Sequence, residues 1–318
     1  MNLSALTPLK KRSKDSRPLS KMALQEERAA YLFLLPWLLG FSVLLLFPIL
    51  ASIFLSFTKW NLLTPPVWVG LENYQDMIKD RDFYNSMGVT LKYILISVPI
   101  YSVTALGLSL LLNQKLKGIY VFRSVMFMPS VIAGTAVAVM FAMLLNPDAG
   151  VINQGLRAIG IANPPRWLAS TDWAVPAVVL MGLWGIGGGT IIYLAGLQNI
   201  PPQLYEAAEI DGANEVQKFW TITLPLLTPT IFFSLITGLI AAFQVFDAAY
   251  VLNSRARRGA LNFYLLNLYN EGFRESRFGY ASALAWVLVI ISAIAIVIIF
   301  RTSERWVYYE TDTNRGSN

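Results

Sequence analysis

Long apolar runs separated by short charged stretches dominate this 318-residue chain. A helix needs about 20 mostly apolar residues to cross a hydrocarbon layer about 30 Å thick. Because backbone groups must pair within their own segment in lipid, each long run predicts one membrane-spanning helix. The pattern therefore predicts an all-α integral membrane protein with six transmembrane helices, at 29–58, 93–114, 124–147, 173–197, 225–247 and 278–300.

Proline and glycine interrupt several of these runs. We expect kinks where Pro36, Pro48, Pro99 and Pro129 fall inside or near the ends of helices. The glycine cluster at 185–189 predicts close helix packing or a local hinge in the fourth span, because small residues let membrane helices approach each other.

Charges outside the runs predict the orientation of the chain. Seven of the 25 basic residues lie in the segment 1–28, directly before the first run, and basic flanks favour the cytoplasmic side. We therefore expect both termini, the tail 303–318 and the loop 198–226 to be cytoplasmic, with 29–302 forming one transmembrane domain. The first run is too long for a secretory signal and no small-residue cleavage site follows it, so we expect it to remain in the mature protein.

The composition excludes most enzymatic chemistry. Charged residues make up 14% of the chain and hydrophobic residues 55%, against roughly a quarter charged in soluble domains. Without cysteine or histidine, the chain lacks thiol nucleophiles, imidazole bases and the usual zinc ligands. It also lacks the glycine-rich phosphate loop of ATP-binding proteins. We expect no bound cofactor or metal, no catalytic residue and no nucleic-acid partner, because the basic residues cluster on a membrane-orienting flank.

The loop before the fifth run has the composition of a helix rather than of a plain connector. Pro201 and Pro202 suit the first turn of a helix, where no backbone donor is needed, and the residues through Ile210 favour helix. Gly212 can adopt the positive φ of a helix end, and Asp211 can bond the backbone amides of the turn.

A second short helix is expected after this turn, with Val216, Phe219 and Trp220 on one face, until Leu224-Pro225 ends it before the fifth span. Two interpretations are open. Either the small and aromatic residues pack the loop onto the protein's own inner surface, or the first helix inserts into a groove on a soluble partner, where small side chains permit close approach.

The loop resembles the "EAA" loop of ABC importer permeases, whose pattern is Glu-Ala-Ala, three residues, glycine and an apolar stretch ending in Leu-Pro. The matching residues are Glu206, Ala207, Ala208, Gly212, Ile222, Leu224 and Pro225. In that family the loop docks into the ATP-binding subunit and transmits its closure to the membrane helices. By resemblance, the ATPase-coupling residues are Glu206, Ala207, Ala208, Asp211, Gly212, Phe219, Leu224 and Pro225.

The resemblance covers roughly residues 28–305 and is nearest to the carbohydrate-uptake branch. It includes the opening stretch 28–60, FQVFDAAYVL at 243–252 and GYASALAW at 279–286. It implies a type I ABC importer permease fold in a bacterial or archaeal cytoplasmic membrane. The implied partners are a second homologous permease, a cytoplasmic ATPase dimer and an extracytoplasmic sugar-binding protein. A Gly-Gly-Pro turn usual after the fifth span is replaced by 254–259, where three arginines either alter receptor docking or form a solvated loop.

Polar groups near the end of the fifth run are candidates for a sugar path. Gln244 and Asp247 lie at or near membrane depth, where polar side chains are costly and usually face a bundle interior or cavity. Phe243, Phe246 and Tyr250 lie within two turns of them and can offer ring faces to a sugar. Equally, Gln244 can bond a neighbouring helix and Asp247 can cap the span.

The sequence thus predicts the non-enzymatic membrane subunit of an ATP-driven importer for a sugar or oligosaccharide. The alternative is a gradient-driven secondary transporter of small polar solutes, which predicts charged residues at midspan and matching inverted halves. An intramembrane enzyme would need a pair of carboxylates at depth. Neither pattern is evident in the six runs.

Overall fold

The computed structural model describes residues 21–114, 116–254, 256 and 259–308. It divides into two compact units, the first ending at Phe54 and the second beginning at Leu55. The predicted basic segment 1–28 and tail 303–318 lie largely outside the described residues, as do the arginines at 255, 257 and 258.

The first unit is built on one long apolar helix. It comprises α1 (Lys21–Phe41), a π-helical turn (Ser42–Leu46) and most of α2 (Phe47–Ser56). Arg28–Ser56 forms a continuous apolar segment of 29 residues in which the most apolar window has no buried residue. Because a helix that is apolar on all sides needs a non-aqueous surrounding, this segment fits a membrane span. Pro48 lies two residues after the end of the π-helical turn, whose shift in hydrogen-bond register accommodates a residue without a backbone donor.

The second unit consists of helices and one small hairpin. Its α-helices are α3 (Glu72–Lys79), α4 (Arg81–Leu112), α5 (Ile119–Phe127), α6 (Gly134–Leu144), α7 (Val151–Ala158), α8 (Ala174–Trp184), α9 (Gly187–Gln198), α10 (Pro202–Ile210), α11 (Glu215–Lys218), α12 (Leu224–Phe243), α13 (Asp247–Asn253), α14 (Tyr264–Tyr269) and α15 (Phe278–Ser303). A 3-10 turn covers Met128–Val131, and π-helical turns cover Phe219–Thr223 and Asn270–Arg274. Strands β1 (Thr58–Lys59) and β2 (Val67–Trp68) pair antiparallel.

Two of the six predicted spans are bent rather than continuous. In the described part of the chain, four helical segments are long and apolar enough to cross a membrane, or six if each bent pair is one span. The third run bends by 93° between the segments Ile119–Val131 and Gly134–Leu144, and the fourth by 56° between α8 and α9. The predicted spans at 124–147 and 173–197 therefore each consist of two helical segments. Pro129 opens the 3-10 turn at the first bend, where a kink is expected.

The glycine cluster of the fourth run combines the two roles predicted for it. The bend falls at 185–186, between α8 and α9. A Cβ on Gly187 would lie 2.1 Å from the backbone oxygen of Met126, and a Cβ on Gly182 would overlap the Tyr101 hydroxyl group. Glycine is therefore required here for helix contact as well as for the bend.

The second unit has two ends. Antiparallel α12 and α15 meet where the backbone N–H of Tyr308 donates to Thr228 Oγ1 at 2.8 Å and the rings of Phe232 and Phe300 lie 5.0 Å apart. The 20 residues of α12 span about 30 Å. We call the end with residues 198–223 the loop end, and the opposite end, with residues 57–80, 244–254 and 259–280, the far end.

Candidate functional site

Neighbouring residues in the sequence determine where helix α10, at the loop end, begins and ends. Pro202 occupies its first turn. At its other end Gly212 has φ +80°, its N–H donates to the Glu209 carbonyl oxygen at 3.1 Å, and the Ala213 N–H donates to the Ala208 carbonyl oxygen at 2.9 Å. This pair of bonds is a Schellman motif, and its positive φ is the conformation predicted for Gly212.

Helix α11 is capped by the side chain of Asn214. The Asn214 side chain accepts from the Gln217 N–H at 2.9 Å, and the Gln217 side chain accepts from the Asn214 N–H at 2.8 Å. Asp211 ends α10, where its own N–H donates to the Ala207 carbonyl oxygen. Asn214 lies three residues before Gln217, which is the spacing that a capping box requires.

A buried lysine joins the two short helices. Lys218 is only 5% exposed, and its Nζ lies 2.8 Å from Glu209 Oε1 on α10 and 2.6 Å from Glu215 Oε1 on α11. The hydrogen bond from Lys218, together with its positive charge, lowers the pKa of the Glu209 carboxyl group below its ordinary value. The ion pair with Glu209 therefore links the two helices across the turn, whereas the pair with Glu215 lies within α11.

The loop is joined to α12 without a break. The hydroxyl groups of Tyr205 and Thr223 lie 2.9 Å apart, which ties α10 to the π-helical turn that follows α11. Leu224-Pro225 was expected to end the helix-turn-helix unit. Instead Leu224 begins α12 with Pro225 in its first turn, because the π-helical turn accommodates the missing donor. The loop is thus continuous with a 20-residue helix.

The predicted coupling residues fall into an exposed set and a structural set. Glu206 and Ala207 on α10 are exposed, together with Val216 and Trp220, whereas Ala208 and Phe219 are partly covered. Sequence reasoning missed Ile210, which is 87% exposed and lies three residues after Ala207 on the same helix face. The rest of the described chain leaves this face largely uncovered.

The predicted sugar-path residues lie at a helix break at the far end. Helix α12 ends at Phe243, Gln244 follows as its C-cap, and α13 starts at Asp247, so the fifth run is not helical throughout 225–247. Gln244 and Asp247 are exposed. Phe246 stacks on Tyr250, with ring centroids 5.5 Å apart. Phe243 is only 3% exposed and packs in the chain's own core beside the break, so its ring does not face the surface.

The break contacts a second interruption in the bundle. A Cβ on Gly134, at the start of α6, would lie 3.2 Å from Asp247 Oδ2. Asp247 therefore sits beside the 93° bend between α5 and α6. Two interrupted helices thus meet at this carboxylate.

The described chain combines apolar helices of spanning length with a capped helix pair that exposes an apolar face at one end. This arrangement defines a polytopic membrane protein. Residues 93–307 match the family model described as "Binding-protein-dependent transport system inner membrane component". The chain belongs to this family.

Individual relatives agree with the family match. The chain is 39% identical over 302 residues to a probable ABC transporter permease protein, YesP, of Bacillus subtilis, covering 93% of this chain and 97% of the relative. It is 32% identical over 291 residues to the trehalose/maltose transport system permease protein MalF of Thermococcus litoralis, covering 90% and 97%. A crystal structure of a bacterial ABC transporter involved in the import of alginate contains a similar chain, with a TM-score of 0.78, 24% identity and coverage of 89% and 97%. This likeness confirms the type I importer permease fold.

Proposed function

We propose that this chain is the membrane-spanning subunit of an ATP-driven sugar importer, and that α10 and α11 couple it to a separate ATPase. The observation that carries the proposal is the loop end, where a helix pair locked by Lys218 presents Ala207 and Ile210 outward and continues into α12. Relatives named for trehalose/maltose, multiple-sugar and arabinooligosaccharide transport support a carbohydrate substrate.

Coupling follows from the shape of the exposed face. A short helix with a small residue at Ala207 and an apolar residue at Ile210 fits a groove in the helix-in-groove mode of recognition. Because the Schellman turn and the ion pairs of Lys218 resist bending, a push on α10 is delivered to α12 rather than absorbed in the loop.

Transport then requires two arrangements of the helices. The chain pairs with a second, homologous permease, and closure of an ATPase dimer moves both loops together and opens the path outward. An external binding protein releases its sugar toward Gln244 and Asp247, with Phe246 and Tyr250 offering ring faces. ATP drives the change because it binds the closed ATPase dimer more tightly, and only such differential affinity shifts a conformational equilibrium.

The orientation of the chain completes the proposal. Both termini and the loop end lie in the cytoplasm of a bacterial or archaeal cell, and the far end faces the binding protein. This chain binds no cofactor, and ATP hydrolysis takes place in the partner subunit.

Co-purification with the ATPase from the same system tests the proposal. Ile210→Glu places a charge on the docking face, and Ile159→Glu, at a 75% exposed isoleucine after α7, is the matched control. We expect wild type and Ile159→Glu to retain the ATPase, and Ile210→Glu to lose it while remaining inserted. Equal retention by all three proteins, or by none, would contradict the proposal. Uptake abolished by an ionophore alone would favour a gradient-driven transporter.

A further inference from the structure

Aromatic side chains form an unbroken row across the far end. From Tyr250 and Phe246 the row continues through Tyr269, at centroid distances of 5.6 and 5.2 Å, to Phe273 at 5.1 Å. It then passes to Phe278 at 5.4 Å and ends on Trp60 at 5.9 Å. We name these six residues the aromatic row. Its members come from the segments 60, 246–250 and 269–278, so the fold alone brings them together.

The rings of the row are not hidden in the protein core. Phe273 is 66% and Tyr250 43% exposed, and the other members are partly covered. The Arg274 guanidinium lies 5.8 Å from the centroid of the Tyr250 ring, which adds a hydrogen-bond donor beside the ring face. The row therefore offers apolar faces and polar edges side by side.

A polar hollow lies at the Trp60 end of the row. Its volume is about 480 Å³, within the range of small-molecule sites. Besides Trp60 its walls carry charged side chains of both signs: Lys59, Glu72, Asp76, Glu275 and Arg277. Arg277 is held in place by Glu271 at 2.9 Å and lies 4.4 Å from the centroid of the Tyr280 ring.

The opposite end of the row reaches the break in the fifth run. Phe246 lies between Gln244 and Asp247 in the sequence, at the point where α12 gives way to α13. The row thus links a polar hollow to the polar break proposed as the sugar path. A surface that faced only the hydrocarbon layer would not carry polar groups at its two ends, because hydrocarbon offers them no hydrogen-bond partners.

Carbohydrate fits this combination of groups. One face of a pyranose presents C–H groups, which are attracted to the negative face of an aromatic ring, while its hydroxyl groups need donors and acceptors around the rim. We propose that the aromatic row and the adjoining hollow form a carbohydrate-binding track that leads sugar across the far end to Gln244 and Asp247. The inference rests on the proposed function, because it assigns a route to the same substrate class.

The test uses the whole transporter, assembled with its second permease, ATPase and binding protein in proteoliposomes. The probes are maltotetraose, arabinotriose and an alginate trisaccharide, and the readouts are uptake as a function of the concentration of loaded binding protein, and ATPase activity. Phe273→Leu keeps an apolar side chain but removes the ring, and Phe273→Tyr keeps the ring. Phe233→Leu, at a 55% exposed phenylalanine on α12, is the matched control.

We expect Phe273→Leu to raise the KM for uptake about fivefold to tenfold, the loss of one ring contact. Phe273→Tyr keeps the ring and is expected to raise the KM less than Phe273→Leu does. Phe233→Leu is expected to behave as wild type, and the ATPase activity is expected to persist in all variants. Wild-type activity in Phe273→Leu would overturn the track, because an apolar contact with lipid or with the second permease would then explain the ring. If the wild-type transporter itself imports none of the three probes, the proposed function fails, and the track fails with it.

Discussion

The two ends of the second unit differ in how far apart along the sequence their contacting residues lie. At the loop end, the bonds that matter join residues close in sequence, such as Lys218 with Glu209 and Glu215. At the far end they join distant segments: Asn85 Nδ2 donates to the Gly259 carbonyl oxygen, and the Tyr280 hydroxyl group donates to Asp80 Oδ2. The difference teaches that the loop can hold its shape by itself, whereas the far end exists only when the whole bundle is assembled.

The largest expected effect tests the long-range construction of the far end. A Cβ on Gly279, in the first turn of α15, would lie 1.8 Å from the backbone oxygen of Thr58. Because a backbone atom cannot yield as a flexible side chain does, we expect Gly279→Ala to destabilise the protein by about 3 kcal/mol. Thermal unfolding in detergent measures the change.

Gly88→Ala is the control for this substitution. Gly88 lies inside α4, and within the described residues no atom outside its own helical turn stands within 4 Å of the position its Cβ would take. Alanine there is expected to be neutral or slightly stabilising, because it restricts the unfolded chain more than glycine does. Equal unfolding temperatures for the two variants would show that the far end does not depend on the contact between α15 and β1.

The same difference in range explains what sequence reasoning could predict. The structure of the loop end could be predicted because proline, glycine and Leu-Pro mark turns and helix starts within a few residues of one another. The Schellman turn at Gly212 follows from local chemistry alone. The link from Lys218 to Glu209 did not follow, because a spacing of nine residues across a turn matches no helical repeat.

The structure of the far end could be predicted from the sequence only in part. Counting apolar residues finds runs of spanning length, but it does not register a break such as the one between Phe243 and Asp247, where apolar residues continue through the interruption. The aromatic row was missed for a related reason. Trp60 and Phe278 are separated by more than 200 residues, and only the packing of α15 beside β1 brings their rings together.

A smaller effect tests whether the loop end is held by its ion pairs. Lys218→Met removes the cation and leaves Glu209 and Glu215 hydrated at the surface, so we expect little loosening. Replacing both glutamates by glutamine leaves the Lys218 ammonium group buried without a carboxylate partner. Such an unpaired buried charge destabilises a fold more than removal of all the charges of the ion pairs together. We expect amide hydrogen exchange in 202–218 to be roughly tenfold faster in the double variant than in Lys218→Met.

Unchanged exchange in both variants would assign the rigidity of the loop to its caps. Asn214→Ala is the variant that separates the two contributions, because it removes the capping box and keeps every charge. Its expected effect is confined to α11.

The smallest expected effect is a pH response of opposite sign at the two ends. The hydrogen bond from Lys218 lowers the pKa of Glu209. The contribution of this bond to the free energy of unfolding is fully present above the ordinary carboxyl pKa and is lost as the pH falls through the lowered value. Burial raises the pKa of Glu271, although Arg277 opposes the shift, so folding favours the protonated form of this carboxyl group. The contribution of Glu271 to the free energy of unfolding is therefore lost as the pH rises through the raised value.

Unfolding temperatures of wild type, Glu209→Gln and Glu271→Gln between about pH 4 and pH 7 measure both contributions. On acidification, the advantage of wild type over Glu209→Gln should shrink, and its stability relative to Glu271→Gln should rise. If both differences move in the same direction, the two carboxyl groups do not have the contrasting surroundings that distinguish the loop end from the far end.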